Sequence, residues 1–308
     1  VTGSSAARPI RLGTRGSALA VAQSQQVADA LRAASGRPVE LVEVVTTGDR
    51  SAAPVQRLGV GVFVSALRDA LTAGDIDVAV HSYKDLPTEP APGLVIAAVP
   101  ERADPRDVLV AADGVGLAKL PAGARIGTGA PRRMAQLNAL GAGLTCVPIR
   151  GNVDTRLRKV QTGELDAVVV AAAGLQRLGR LTEVTEFLDP DVVLPAPAQG
   201  ALAVECRVTD AELTATVGAL DHPATRAAVL AERALLAALE AGCTAPVGGY
   251  ATVTDGVLSL RGVVVTLDGS TSIRRLGTGT PADAESVGRR LAAELLDAGA
   301  DSLLESAR

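Results

Sequence analysis

Residues 10–34 read "IRLGTRGSALAVAQSQQVADALRAA". The run "IRLGT" is apolar and too short for a helix, whereas from Ser17 onward Leu, Ala and Val recur at helical spacing, so the stretch is a strand feeding a helix. The same succession returns downstream in "VELVEVV" (39–45), "FVSALRDALTAG" (63–74), "IDVAVHS" (76–82) and "LVIAAVP" (94–100). Strands that alternate with helices predict βαβ units and a largely parallel sheet.

After "ERADPRD" (101–107) the rhythm restarts with "VLVAA", "ARIGTG", "PRRMAQLNALG", "LTCVPI", "VDTRLRKVQTG" and "LDAVVVAAAG", which predicts a second α/β lobe of the same kind. The proline-rich "DPDVVLPAPAQG" (189–200) reads as an irregular crossing segment, and "ALAVECRV" beyond it as a strand. "HPATRAAVLAERALLAALEAG" (222–242) is an amphipathic helix expected to end at Gly242. Three short strands follow, divided by Asp255-Gly256 and Asp268-Gly269, dipeptides favoured in tight hairpin turns. A last helix over 281–300 has Pro281 in its first turn. The expected fold is therefore α/β with three domains: residues 1–101 with 198–219 as a first lobe, 102–197 as a second, and 220–308 as an α+β domain with a three-stranded antiparallel sheet. The two lobes are expected to face each other over a cleft.

Composition narrows the function. Three cysteines in 308 residues, Cys146, Cys206 and Cys243, form neither a disulfide framework nor a C-x-x-C motif, and two histidines, His81 and His222, offer little to a metal site, so no metal is expected. The N-terminal segment has no basic start followed by an apolar run, and no stretch reaches the ~18 apolar residues of a membrane span, so a soluble, cytoplasmic protein is expected. A net charge of −4, two Tyr, two Phe and no Trp argue against nucleic acid as a partner. Yet 27 of the 30 basic residues are arginine. Arg15 and Ser17 follow the first strand; Thr128, Arg132 and Arg133 lie in "GTGAPRRM"; Arg150 and Arg156 lie in "IRGNVDTRL". All stand at strand-to-helix junctions, where backbone N–H groups and the helix dipole already favour anions. The guanidinium fork suits carboxylates. The pattern predicts a ligand with several negative charges.

Asp85, in "HSYKDLPTEP", admits two readings, an ion pair with Lys84 or an acid in an arginine-lined site. Cys243, in the glycine-rich "GCTAPVGG", is a small buried residue or a reactive thiol on a loop.

In order along the chain, "RLGTRGSALA", "VAVHSYKDLPTE", "ERADPRD", "RRMAQL", "IRGNVDTRL", "AGLQRLG", "PAPAQGALAVECR" and "AERALLAALEAGCTAPVG" resemble the porphobilinogen deaminase family over essentially the whole chain. The resemblance implies two lobes like those of periplasmic solute-binding proteins and a transferase of tetrapyrrole (heme) biosynthesis that acts as a monomer on the small molecule porphobilinogen. Four porphobilinogens would be joined head to tail, with loss of ammonia, on a covalent dipyrromethane, and the linear tetrapyrrole hydroxymethylbilane released. By this resemblance Cys243 carries the dipyrromethane through a thioether, and Asp85 is the catalytic carboxylate. Lys84, Thr128, Arg132, Arg133, Arg150, Arg156, Ser17 and Gly200 would hold the cofactor, and Arg15, Ser17, Arg177 and Gln199 the substrate. The chain departs from the family pattern at Val60, where a loop lysine is usual and Arg57 stands nearby, and at "GAPRR", where the family has "SLRR" and a side-chain hydroxyl. A rival reading is a non-enzymatic two-lobed binding or sensor module for a polycarboxylate.

Overall fold

The computed structural model describes residues 8–45, 62–241 and 245–305. The chain forms two compact units. The first comprises the residues up to Glu101 with Leu202–Pro223, and the second comprises Arg102–Ala201 with the residues from Ala224 onward.

In the first unit, β1 (Ile10–Thr14), β2 (Val39–Glu43), β3 (Val78–Ser82), β4 (Leu94–Ala98) and, in chain order, β10 (Leu202–Arg207) form one sheet in the order β2-β1-β3-β10-β4. β1 runs parallel to β2 and β3, while β10 enters antiparallel between β3 and β4. Val78, Ala79 and Val80 are all buried, which is why β3 reads as an unbroken apolar run rather than an alternating one. Helices α1 (Ala18–Ser35), α2 (Val62–Ala73) and α6 (Ala211–Gly218) belong to this unit. The Ser17 side chain caps α1 by accepting from the Ala20 N–H, and Val27, Ala28 and Leu31 form its buried stripe.

The second unit repeats the plan. β5 (Asp107–Ala111), β6 (Arg125–Thr128), β7 (Thr145–Pro148), β8 (Ala167–Ala171) and β9 (Glu186–Phe187) stand in the order β7-β6-β8-β5-β9, with β5 antiparallel to β8 and β9. Each five-stranded sheet thus has four strands running one way and one reversed strand, fourth in the order. Helices α3 (Pro131–Asn138), α4 (Val153–Gln161) and α5 (Ala172–Arg177) follow β6, β7 and β8. Each starts at the C-terminal end of a strand.

The same unit contains α7 (Pro223–Ala238), the antiparallel sheet of β11 (Val247–Thr254), β12 (Val257–Val265) and β13 (Ser272–Gly279), and α8 (Ala284–Asp297) and α9 (Ala300–Glu305). Leu235, Leu239, Leu258, Leu260, Leu291 and Leu295 pack between helices and sheet. Two expected details differ. Helix α7 stops at Ala238 rather than Gly242, because Glu240 takes the left-handed conformation (φ 48°) and the Ala241 N–H reaches back to the Leu236 carbonyl, closing the helix. Asp255-Gly256 forms the tight turn, with both residues at positive φ, but at 268–269 only Gly269 is left-handed. There the turn is longer, and the Asp268 carboxylate accepts from Thr266 Oγ1, Ser270 N and Ser270 Oγ.

Candidate active site

In the first unit, Arg15 leaves β1, Ser17 opens α1, and the β3 strand runs straight into a single turn, Tyr83–Asp85. Arg15, Gln23, His81, Ser82 and Asp85 line one small pocket. Asp85 is exposed and Lys84 half-buried. Gln23 and Ser82 exchange hydrogen bonds at 2.9 and 3.2 Å, joining α1 to the end of β3. Alongside lies an internal carboxylate, Glu205 on β10, which takes Arg68 on both oxygens (2.9–3.2 Å) and His81 Nε2 at 3.1 Å. Burial pushes the Glu205 carboxyl upward, but His81 and Arg68 more than offset it and hold it below its ordinary range.

In the second unit the centre is another carboxylate, Asp107, wholly buried at the start of β5. Arg133 donates to its Oδ1 from Nε (3.0 Å) and Nη2 (2.7 Å), and Gln199 Nε2 adds a third bond at 2.8 Å. Arg132 Nη2 lies 2.8 Å from Oδ2, so the one carboxylate faces two guanidiniums. Burial raises the Asp107 carboxyl, and the two arginines with Gln199 then bring it down to about 2. Arg132 is itself held low by burial and by Arg133, since one carboxylate serves two guanidiniums. Both arginines also reach main-chain carbonyls, Arg132 that of Leu194 (2.6 Å) and Arg133 that of Val169 (3.2 Å).

Further cations stand at neighbouring strand ends. Arg156 on α4 donates to the Gly151 carbonyl at 2.9 Å, and burial together with Arg133 lowers its pKa. Arg177 on α5 donates to the Gly200 carbonyl at 2.8 Å; its Nε is enclosed without an acceptor, and burial brings the group down to about 10. Gly200 sits at φ 89° with the Ala103 carbonyl 2.6 Å from where a Cβ would stand, so only glycine presents its carbonyl this way. Arg150 is exposed. Thr128 is buried and its Oγ1 accepts from the Ala130 N–H. At Gly129 a Cβ would fall 2.7 Å from the Ile149 carbonyl, so the main chain passes close to the end of β7 there. Among the described residues, Arg132, Arg133, Arg156 and Arg177 have one carboxylate partner between them, Asp107.

Residues 10–215 match a family model described as "Porphobilinogen deaminase, dipyromethane cofactor binding domain", and residues 226–297 one described as "Porphobilinogen deaminase, C-terminal domain". The chain belongs to the porphobilinogen deaminase family. It is 61% identical over 305 residues to the porphobilinogen deaminase of Nocardia farcinica, covering 96% of this chain and 88% of the relative. It is 57% identical to that of Mycolicibacterium paratuberculosis (97% and 98% covered) and 59% identical to porphobilinogen deaminase 1 of Streptomyces coelicolor (96% and 98%). Porphobilinogen deaminases are transferases, and this sets aside the reading as a binding or sensor module. Among solved structures, the methionine binding protein MetQ matches 68% of this chain and 89% of its own at 13% identity with a TM-score of 0.42, too weak a likeness to bear on function.

Of the residues singled out by the family resemblance, Cys243, Val60 and Arg57 lie outside the described residues. Three buried carboxylates among the described residues, Asp107, Glu205 and Glu232, fall outside the site that the resemblance implies. Glu232 on α7 accepts from Arg102 Nη1 (2.6 Å) and Nη2 (3.0 Å) and from the N–H groups of Ala198 (2.6 Å) and Ala251 (2.7 Å), so it fixes the left-handed Ala198 (φ 63°) just ahead of Gln199. The available signal was an acid set against an apolar run, as in "RDVLV", "AVECR" and "LAERALL". No helix among the described residues is long and apolar enough to cross a membrane.

Proposed function

We propose that this chain condenses four porphobilinogen molecules head to tail with loss of ammonia and releases hydroxymethylbilane, using a dipyrromethane held by a thioether on Cys243. Beyond family membership, the observation that carries the reading is the surplus of guanidinium over carboxylate in the second unit. The enclosed Arg177 Nε and the single Asp107 carboxylate shared by two arginines are the state of a site prepared for external carboxylates. Dipyrromethane fits, since each of its two rings bears an acetate and a propionate arm. When bound, it supplies the free pyrrole position to which the first porphobilinogen is joined.

The residues of the chain divide the remaining work. Arg132, Arg133, Arg156 and Arg177, with Arg150 at the β7–α4 junction, hold carboxylate arms. Thr128 and the N-terminal turns of α3 and α4 add backbone donors, and Gly200 and Gln199 set the geometry of Arg177 and Asp107. In the first unit Arg15, Ser17 and Lys84 serve as polar contacts. Asp85 accepts hydrogen bonds from pyrrole N–H groups at its carboxylate oxygens and stabilises positive charge as ammonia departs. One chain carries every residue invoked, which supports a monomer. The described cysteines, Cys146 and Cys206, are free thiols, which supports a reducing cytoplasm.

The test is direct. Purified protein should show an intact mass above that of the polypeptide by one dipyrromethane, and with porphobilinogen it should release ammonia and a linear tetrapyrrole. A protein that carries the added mass yet only binds porphobilinogen, without releasing ammonia, would overturn the reading.

A further inference from the structure

Helix α3 carries Arg132 and Arg133 at its first turn, and its other end is held by the C-terminal sheet. The turn between β12 and β13 is seated on the last residues of α3: Asn138 Nδ2 donates to the Leu267 carbonyl at 2.8 Å, and Gly269 lies so close that a Cβ there would be 2.2 Å from the Ala139 nitrogen and 2.6 Å from the Asn138 carbonyl carbon. Those neighbours are main-chain atoms, which cannot swing aside as a flexible side chain would. One side of the helix packs on the same sheet, with Ala135 against Leu194, Val263 and Val265 in a buried cluster. Arg274 of β13 approaches Gln136 Oε1 at 3.4 Å, and Gln136 in turn exchanges hydrogen bonds with Leu194, whose carbonyl also receives Arg132. A displacement of the turn is therefore passed along a helix of only eight residues to the two guanidiniums.

We propose that the β12–β13 turn is a buttress for the arginine helix, with Gly269 as its positioning residue, so that the C-terminal sheet sets the carboxylate affinity of Arg132 and Arg133 through α3. This rests on the reading that Arg132 and Arg133 serve carboxylate binding. Gly256 provides an internal control. It occupies the turn at the other end of β12 at a similar angle (φ 74° against 76°), but a Cβ there would meet nothing within 4 Å. Alanine at either position carries the same backbone penalty, and only at 269 does it press on α3.

Gly269→Ala, Gly256→Ala and Asn138→Ala are to be compared in the full-length, cofactor-loaded protein. Hydrogen–deuterium exchange over 131–139 should rise in Gly269→Ala and Asn138→Ala and stay at the parent level in Gly256→Ala. KM for porphobilinogen should rise by about threefold or more in the first two, with kcat less affected, since a small misplacement of binding groups is enough to weaken them. Exchange that changes equally in both glycine variants, or in neither, overturns the buttress. Raised exchange with an unmoved KM would leave the buttress standing and refute the coupling to carboxylate binding. Should Gly269→Ala fail to fold, Asn138→Ala, which removes one hydrogen bond from an exposed site, decides by the same two readouts.

Discussion

Replacing Asp107 with asparagine asks whether the arginine helix is held by charge. Asparagine has nearly the same volume and still offers one carbonyl oxygen to Arg133, so packing survives and the charge alone is lost. Held at about 2 rather than 3.8, the carboxyl stabilises the folded state by roughly 2 kcal/mol in its ionised form. The variant also leaves two guanidiniums, each about 5% exposed or less, without a counter-charge, and breaking a buried pair in this way costs about 3–5 kcal/mol. An expected loss of about 3 kcal/mol corresponds to a fall in Tm on the order of 6 °C for a chain of this size. The pH dependence has a definite sign. Because the folded pKa lies below the unfolded one, the contribution is fully present above about pH 4 and fades as pH falls toward 2, so parent and variant should converge over that window. Sulfate should restore part of the loss in the variant by supplying an anion to the freed guanidiniums. Urea and thermal unfolding at pH 7, pH 3 and pH 2, with and without sulfate, are the measurements. A loss below about 1 kcal/mol, or a gap between the two proteins that stays constant down to pH 2, would refute the reasoning.

Cys243→Ala should fold yet show the bare polypeptide mass; an unchanged added mass would remove the cysteine as anchor. Arg177→Leu should weaken porphobilinogen binding by about tenfold or more without lowering Tm, since the enclosed guanidinium is a burden on the empty protein, whereas Arg289→Leu on the exposed face of α8 should change neither. Burial disfavours the charged form of Arg177 in the folded chain relative to the unfolded one, so parent stability relative to the leucine variant should rise with pH at the alkaline end, as urea titrations at pH 9 and 11 would show. Asp85→Asn should load the cofactor but turn over about a hundredfold more slowly in single-turnover ammonia release; a rate equal to the parent would return Asp85 to a surface role.

The fold was legible where physics is local. β3 and β8 are buried on both faces and so read as short continuous apolar runs, and Asp255-Gly256 announces its turn because both residues tolerate positive φ. The strand-end arginines were legible too, because a helix start after a strand is a local pattern. What sequence could not show is which of them face inward on a carboxylate of the protein itself. Asp107 meets Arg133 across 26 positions, Glu232 meets Arg102 across 130 and Glu205 meets Arg68 across 137, and no periodicity links such partners. Helix α7 ends at Ala238, ahead of the expected Gly242, for a related reason. Gly242 is the better left-handed residue, but the turn formed where Ala241 found the Leu236 carbonyl, and Glu240 took the strain.

The reversed strand β10 has a consequence for the nascent chain. It lies between β3 and β4 and is the strand through which β4 joins the sheet, yet it is synthesised about a hundred residues later. While the ribosome makes the second lobe, the first must wait with one side of β3 open and β4 without a ladder, and an open strand edge is a template for pairing with other chains. Folding of the amino-terminal lobe is thus completed only after residue 207 has emerged, so a message truncated within the second lobe should yield aggregating fragments rather than a smaller, stable domain.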